Sequence, residues 1–242
     1  MPLARSDRRN LAGDAAGGKI RAIIFDIGRV LVRLDIAGAM KELGNSISLS
    51  PEETWSAIEH DPRWPDFQEG RMAPRDWQLH ICRRLGIELT FTQFSEIWNR
   101  VLDPTPNLDS ALLEYLSRHY CLAVLSNTDP IHVAQLERTF DFFRYFKHRI
   151  YSCTVGATKP SALIFREALR ACKVNADNAL YIDDIEAYAE AARQLGMKGM
   201  VFRSADQLVA DFYEFGLLAT LPRNESSKKS VRSDPAGKDC RD

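Results

Sequence analysis

Four short apolar runs constrain the fold of this chain more than any other feature: IRAIIF at 20–25, CLAVL at 121–125, ALYI at 179–182 and GMVF at 199–202. Each is apolar with little alternation, the pattern of a strand covered on both faces within a parallel sheet. Helical stretches lie between them. Residues 161–172 (SALIFREALRAC) carry apolar side chains at helical spacing and begin behind Pro160, a residue suited to a first turn. Residues 186–195 (EAYAEAARQL) run up to Gly196, which predicts a glycine-terminated helix. Strand alternating with helix implies an α/β fold, a doubly wound parallel (Rossmann-like) sheet with right-handed crossovers.

One long segment breaks the alternation. Residues 36–105 contain no convincing strand, but helical patterns occur at 37–43, 51–60, 74–85 and 92–101. This predicts a helical cap inserted after the first strand, with the α/β core formed by 19–35 and 106–221. All four tryptophans (Trp55, Trp64, Trp77 and Trp98) fall in the cap. They form its own core, or one or two of them face a ligand cleft. Residues 1–18 and 222–242 are polar and lack a run that buries apolar surface, so both are expected to be disordered tails.

Charge and cysteine content exclude several functions. Lys and Arg total 32 and Asp and Glu 33, a net charge of −1, which argues against nucleic acid or an anionic membrane as partner. No apolar run approaches the roughly 20 residues that span a bilayer. The N-terminal MPLARSDRRNLAGDAAGGK has positive charge with no apolar stretch behind it, unlike a secretory leader. The five cysteines (Cys82, Cys121, Cys153, Cys172 and Cys240) form no C-x-x-C pair, which fits a reduced, cytoplasmic protein. A monomer or homodimer is expected.

Ligands of open parallel sheets sit beyond the carboxyl ends of the strands, and polar residues stand at those positions here. Asp26 follows the first strand in FDIGRV, as a nucleophile or a metal ligand. Ser126, Asn127 and Thr128 follow the second, with hydroxyl and amide groups for an oxyanion. Lys159, in GATKP, places a positive charge at a helix start where anions are favoured. Asp183 and Asp184, in YIDD, repel each other unless a cation or shared proton intervenes, and their oxygens suit a hard ion such as Mg²⁺.

FDIGRV, LSNT, GATKP and YIDD, in that order across about residues 20–203, resemble the four motifs of the haloacid dehalogenase superfamily, mostly Mg²⁺-dependent phosphohydrolases. The insertion resembles that family's helical cap. The likeness extends to bacterial sugar phosphatases of the glucose-1-phosphatase type and, more distantly, to the phosphatase domain of epoxide hydrolases. It implies that Asp26 is a nucleophile forming an aspartyl-phosphate. Asp26, the carbonyl of Gly28 and Asp184 would hold Mg²⁺, with Asp183 behind them. Ser126 and Asn127 would meet the phosphoryl oxygens, and Lys159 would pair with Asp26. The substrate implied is a small phosphorylated metabolite, such as a sugar phosphate.

Three positions depart from that pattern. Gly28 stands where most such phosphatases carry a second Asp, the general acid and base, worth roughly 10²–10⁴-fold. Either the leaving group needs little protonation, with water or a cap residue such as Glu69 assisting, or catalysis has been lost. Arg29 replaces a small or neutral residue, as a ligand for a substrate anion or as a solvated side chain. Tyr188 stands where relatives often have Asn. Asp129-Pro130 reads as the cap and first residue of a helix, and His132 faces either the cleft or solvent. Three functions follow: a phosphatase, a catalytically degenerate binding or regulatory protein, or a metal-independent dehalogenase.

Overall fold

The computed structural model describes residues 19–44, 47 and 49–218; the two expected tails lie outside the described residues. Its centre is a five-stranded sheet. β1 (Ala22–Phe25) is flanked by β4 (Cys121–Ser126) and β6 (Ala179–Asp183), with β5 (His148–Tyr151) and β7 (Lys198–Val201) at the edges, and every pairing is parallel. The chain leaves β1 toward β4 and β5, then returns to the other side of β1 to build β6 and β7. The carboxyl end of β1 is therefore the switch point at which such sheets bind ligands.

The strands are apolar on both sides because both sides are covered. Ile23, Phe25, Leu122, Val124, Leu180 and Ile182 pack into one buried cluster, and Ala22, Ile24, Ala123, Leu125, Ala179 and Tyr181 into the other. The second cluster includes α9 (Ala162–Cys172), which starts one residue later than the sequence reading and is capped by the Ser161 hydroxyl, and α10 (Glu186–Gln194). Gly196 lies just past the end of α10 with φ +85°. α11 (Ala205–Glu214) closes the first face.

Between β1 and β4 come β2 (Val32–Leu34), α1 (Ile36–Leu43), α2 (Pro51–Glu59), α3 (Trp64–Gln68), α4 (Pro74–Leu85), α5 (Phe91–Asn99), β3 (Leu102–Pro106) and α6 (Ser110–His119). The helical segment thus has its own buried cluster. The expectation of no strand in 36–105 fails at its end. β3 pairs antiparallel with β2 and ties the exit of the insertion to its entrance. α2 and α5 start with capping boxes, Ser50 with Glu53 and Thr90 with Gln93. After β4 come α7 (Pro130–Thr139), capped by Asp129 with Pro130 in its first turn, and α8 (Ser152–Val155). The helices from α1 to α5 meet the core at α7 and at Ser152, whose Oγ donates to the Gln68 carbonyl (2.7 Å) and accepts from the Thr128 N–H (2.9 Å). No helix among the described residues is long and apolar enough to cross a membrane.

Candidate active site

The ends of the three central strands bring the polar motifs together. Asp26 follows β1, Ser126 ends β4 and Asp183 ends β6. Lys159 Nζ donates to Asp26 Oδ1 (2.8 Å) and Asp183 Oδ2 (2.7 Å), and all three groups are buried. Burial pushes the Asp26 carboxyl up, to about 6, against the pull of the Lys159 ammonium, and the Asp183 charge adds to the rise. Burial also opposes charge on Lys159, but the two carboxylates outweigh it and hold its pKa above the usual value.

Asp183 is spent inside this network. Its Oδ2 also accepts from the Tyr181 hydroxyl, and its Oδ1 takes the Ile185 N–H at 2.9 Å. Asp184 instead lines the cleft, half-buried, and its carboxyl is raised by burial and by the Asp183 charge. One oxygen from each of Asp26, Asp183 and Asp184 lies within 4.8 Å of the others. Three carboxylates this close around one ammonium leave negative charge uncompensated, and an all-oxygen donor set of this kind fits Mg²⁺.

A cavity of about 380 Å³ opens from Asp26, Gly28, Ser126, Asn127 and Lys159 toward the helices of the insertion. Trp55, Trp64 and Trp98 line it, whereas Trp77 is buried, stacked on Phe67 at 4.8 Å between ring centroids. The tryptophans therefore serve both purposes weighed from sequence: one is core only, and three build core and cleft together. Glu59 lies one helical turn from Trp55 and faces the same cavity.

Several expectations need correction. The Asn127 side chain is occupied with the Lys159 backbone, donating to its carbonyl (3.1 Å) and accepting from its N–H (2.7 Å). It shapes the lysine loop; its amide nitrogen carries two hydrogens, and the bond to Lys159 uses one of them. Glu69 does not line the cavity; it accepts from the Thr158 hydroxyl (3.1 Å) and pairs with Arg71, so it is no proton donor for the site. Tyr188 does more than replace an Asn: its ring lies 4.9 Å from Lys159 Nζ, a cation–π contact. His132 faces the cleft. Its Nδ1 is 2.7 Å from Asp129 Oδ2 and its Nε2 2.9 Å from the Trp98 carbonyl. Two acceptors require a proton on each nitrogen, and the Asp129 charge, overcoming burial, holds the imidazole pKa above its usual value.

Sequence reasoning missed Tyr181, Glu59 and Ser152. Tyr181 was within reach, because residues two apart on a strand share a face and Tyr181 precedes Asp183 by two.

A family model, haloacid dehalogenase-like hydrolase, matches residues 20–196. The chain belongs to that family. D-ribitol-5-phosphate phosphatase of Bacteroides thetaiotaomicron is 23% identical over 189 residues, covering 74% of this chain and 90% of that protein. Flavin mononucleotide hydrolase 1 of Arabidopsis thaliana is 27% identical over 94 residues, which is 39% of this chain and 38% of that one. Among solved structures, a family enzyme from Bacteroides thetaiotaomicron superposes with a TM-score of 0.69 at 22% identity, covering 81% of this chain and 99% of that one. The complex of that enzyme with magnesium and inorganic phosphate gives a TM-score of 0.64 at 23% identity, covering 76% and 95%. At such identities these structures establish the shared fold.

Proposed function

We propose that this chain is a Mg²⁺-dependent phosphatase of small phosphorylated metabolites, working in the cytoplasm through an aspartyl-phosphate on Asp26. The observation that carries the reading is the 2.8 Å contact of Lys159 Nζ with Asp26 Oδ1 beside the three-carboxylate cluster. A buried carboxylate held by an ammonium at the switch point of a parallel sheet is oriented for attack on a bound phosphoryl group. Relatives that hydrolyse ribitol 5-phosphate and flavin mononucleotide support a phosphomonoester, and a sugar phosphate suits a tryptophan-lined cavity.

In this mechanism an Asp26 oxygen bonds to phosphorus as the ester P–O bond breaks, and the alcohol leaves with a proton taken from water. Water then attacks the acyl-phosphate, releasing inorganic phosphate and restoring the carboxylate. Asp26, Asp184 and the Gly28 carbonyl would hold Mg²⁺, which offsets charge between carboxylate and phosphoryl group. Lys159 holds Asp26 and the Asp183 strut in place. Ser126 and Asn127 would donate to the phosphoryl oxygens. The core of 19–35 and 106–221 would form this site, and the helices of 36–105 would cover it.

Phosphate release from an aryl phosphate and a sugar-phosphate panel tests this reading, run with Mg²⁺, with EDTA and with Asp26→Asn. Turnover that needs both the metal and Asp26 is expected. Halide release from a 2-haloacid, indifferent to EDTA, would favour the dehalogenase chemistry. Gly28, lacking the carboxylate of an acid catalyst, supports a second reading, a binding protein without turnover. That reading predicts phosphate binding and no product.

A further inference from the structure

Arg29 has a conformation that its side-chain chemistry does not explain locally. Its φ is +57°, and among the described residues the other non-glycine at positive φ is Lys173, which caps the end of α9. A left-handed backbone is disfavoured for a side chain like arginine and ordinarily falls to glycine or asparagine. The loop enforces it here. The Arg29 N–H donates to the Val32 carbonyl (2.7 Å), and the Asn107 amide donates to the Arg29 carbonyl (2.8 Å).

The guanidinium returns little stability for this strain. It is 55% exposed, and its ionic contact, to Asp184 Oδ2, is 3.6 Å long. Such an exposed pair contributes little. Yet the side chain lines the same cavity as Asp26 and the tryptophans. Of the cations lining that cavity, Lys159 is spent on Asp26 and Asp183, and His132 on Asp129 and the Trp98 carbonyl. Arg29 alone among them keeps most of its five donors. Glu59 is the carboxylate facing the cavity from α2, with His60 as its ionic contact at 3.8 Å. Arg29 is therefore the cation of the cavity wall left with donors for an anion.

We propose that Arg29 is a specificity-determining residue, which pairs with a second anionic group on the substrate, a carboxylate or another phosphate, distinct from the phosphoryl group transferred. The inference rests on the phosphatase reading and narrows its substrate class to phosphomonoesters with that extra charge. With Asp184 holding a metal ion, its 3.6 Å hold on the guanidinium would weaken, and the planar fork would be free to meet an oxyanion bidentately.

The test uses matched pairs on the full chain: 3-phosphoglycerate against glycerol 3-phosphate for a carboxylate, and glucose 1,6-bisphosphate against glucose 1-phosphate for a phosphate. The readouts are kcat and KM with Mg²⁺, and calorimetric Kd on the Asp26→Asn variant. The parent protein should favour the more anionic member of at least one pair. Arg29→Gly should cut that preference roughly 10- to 100-fold, through KM and Kd, and Arg29→Lys should cut it less. Arg29→Gly, whose new residue suits the backbone, should not lower the melting temperature. Equal loss on both members would mean that Arg29 grips the transferred phosphoryl group, and overturns the proposal. So would an unmoved ratio, or a parent protein with no preference in turnover or binding. If the parent binds selectively and turns over nothing, the phosphatase reading fails while the assignment of Arg29 stands.

Discussion

The Lys159 ammonium lies 2.8 Å from Asp26 Oδ1, inside a site where both groups are buried, and the same nitrogen reaches Asp183 at 2.7 Å. One cation thus serves two carboxylates that, among the described residues, share no other ammonium. Lys159→Met leaves both without a counter-charge. Loss of one partner from a buried ionic network costs about 3–5 kcal/mol, so urea unfolding in EDTA should show a fall of that size, with turnover abolished. Adding Asp183→Asn removes one stranded charge. It should return part of the stability and none of the turnover. Equal stability of the single and double variants would rule out this electrostatic account.

Gly28 can be given back a carboxylate. Its φ lies outside the left-handed region, and an added Cβ would meet Leu34 Cδ1 at 3.2 Å, the flexible end of a side chain. Gly28→Asp is therefore expected to fold. It should raise kcat on alkyl phosphates, whose leaving oxygen needs a proton, by roughly 10- to 100-fold, within the range of general acid help. Aryl phosphates should gain less. Gly28→Ala, with the same contact and no acid, should gain nothing; parallel gains in both variants would point to loop packing instead.

Much of this site was legible because strand ends can be read from composition. β1, β4 and β6 are continuous apolar runs, so Asp26, Ser126 and Asp184 announced themselves as the polar residues that end or follow them. β5 escaped because His148 and Arg149 interrupt it, as an edge strand permits. β3 escaped because LDPTP holds two prolines, which argue against a strand, yet among the described residues it pairs with β2 alone and bears a register shift. The direction of Asn127 was invisible: an amide after a strand suits an oxyanion or a backbone equally, and only the position of the Lys159 loop decides. The cleft face of Trp64 was hidden likewise, because α3 is five residues long and too short to show a period.

His132 should make the junction between α5 and α7 sensitive to pH. Its ring stacks on Trp98 at 5.6 Å and bridges Asp129 to the Trp98 carbonyl, while the Trp98 indole donates to Asp129 Oδ2 at 3.1 Å. The folded-state imidazole pKa is raised, chiefly by the Asp129 charge working against burial. Its stabilisation is therefore complete below the ordinary value of about 6.5 and is lost as pH rises through the higher folded value. The Asp129 carboxyl is held low, with His132 as the main cause opposing burial, so its contribution is complete above the ordinary carboxylate value and is lost as pH falls through the lower folded value. His132→Asn should lower the melting temperature most near pH 6, and the gap should narrow toward pH 9. A gap constant across that range would show a packing role without the charge.

Asp26 should cost stability that its substitution returns. In the metal-free protein its pKa is about 6, raised by burial above the ordinary carboxylate value, with Lys159 opposing. The folded state thus binds this proton more tightly than the unfolded chain. Its stabilising contribution is present below about pH 4 and is lost as pH rises toward and through 6. Asp26→Asn removes that titration and turns two carboxylates around one ammonium into a neutral pair of Lys159 and Asp183. In EDTA at pH 7 the variant should unfold at higher urea than the parent, by about 1–3 kcal/mol, and the difference should vanish as pH falls to 4. An active site that places charge where folding disfavours it gives this signature. An Asp26→Asn protein less stable than the parent at pH 7 would mean that Lys159 depends on Asp26 more than burial penalises it, and the triad would then be a structural pair with Asp183 as its spectator.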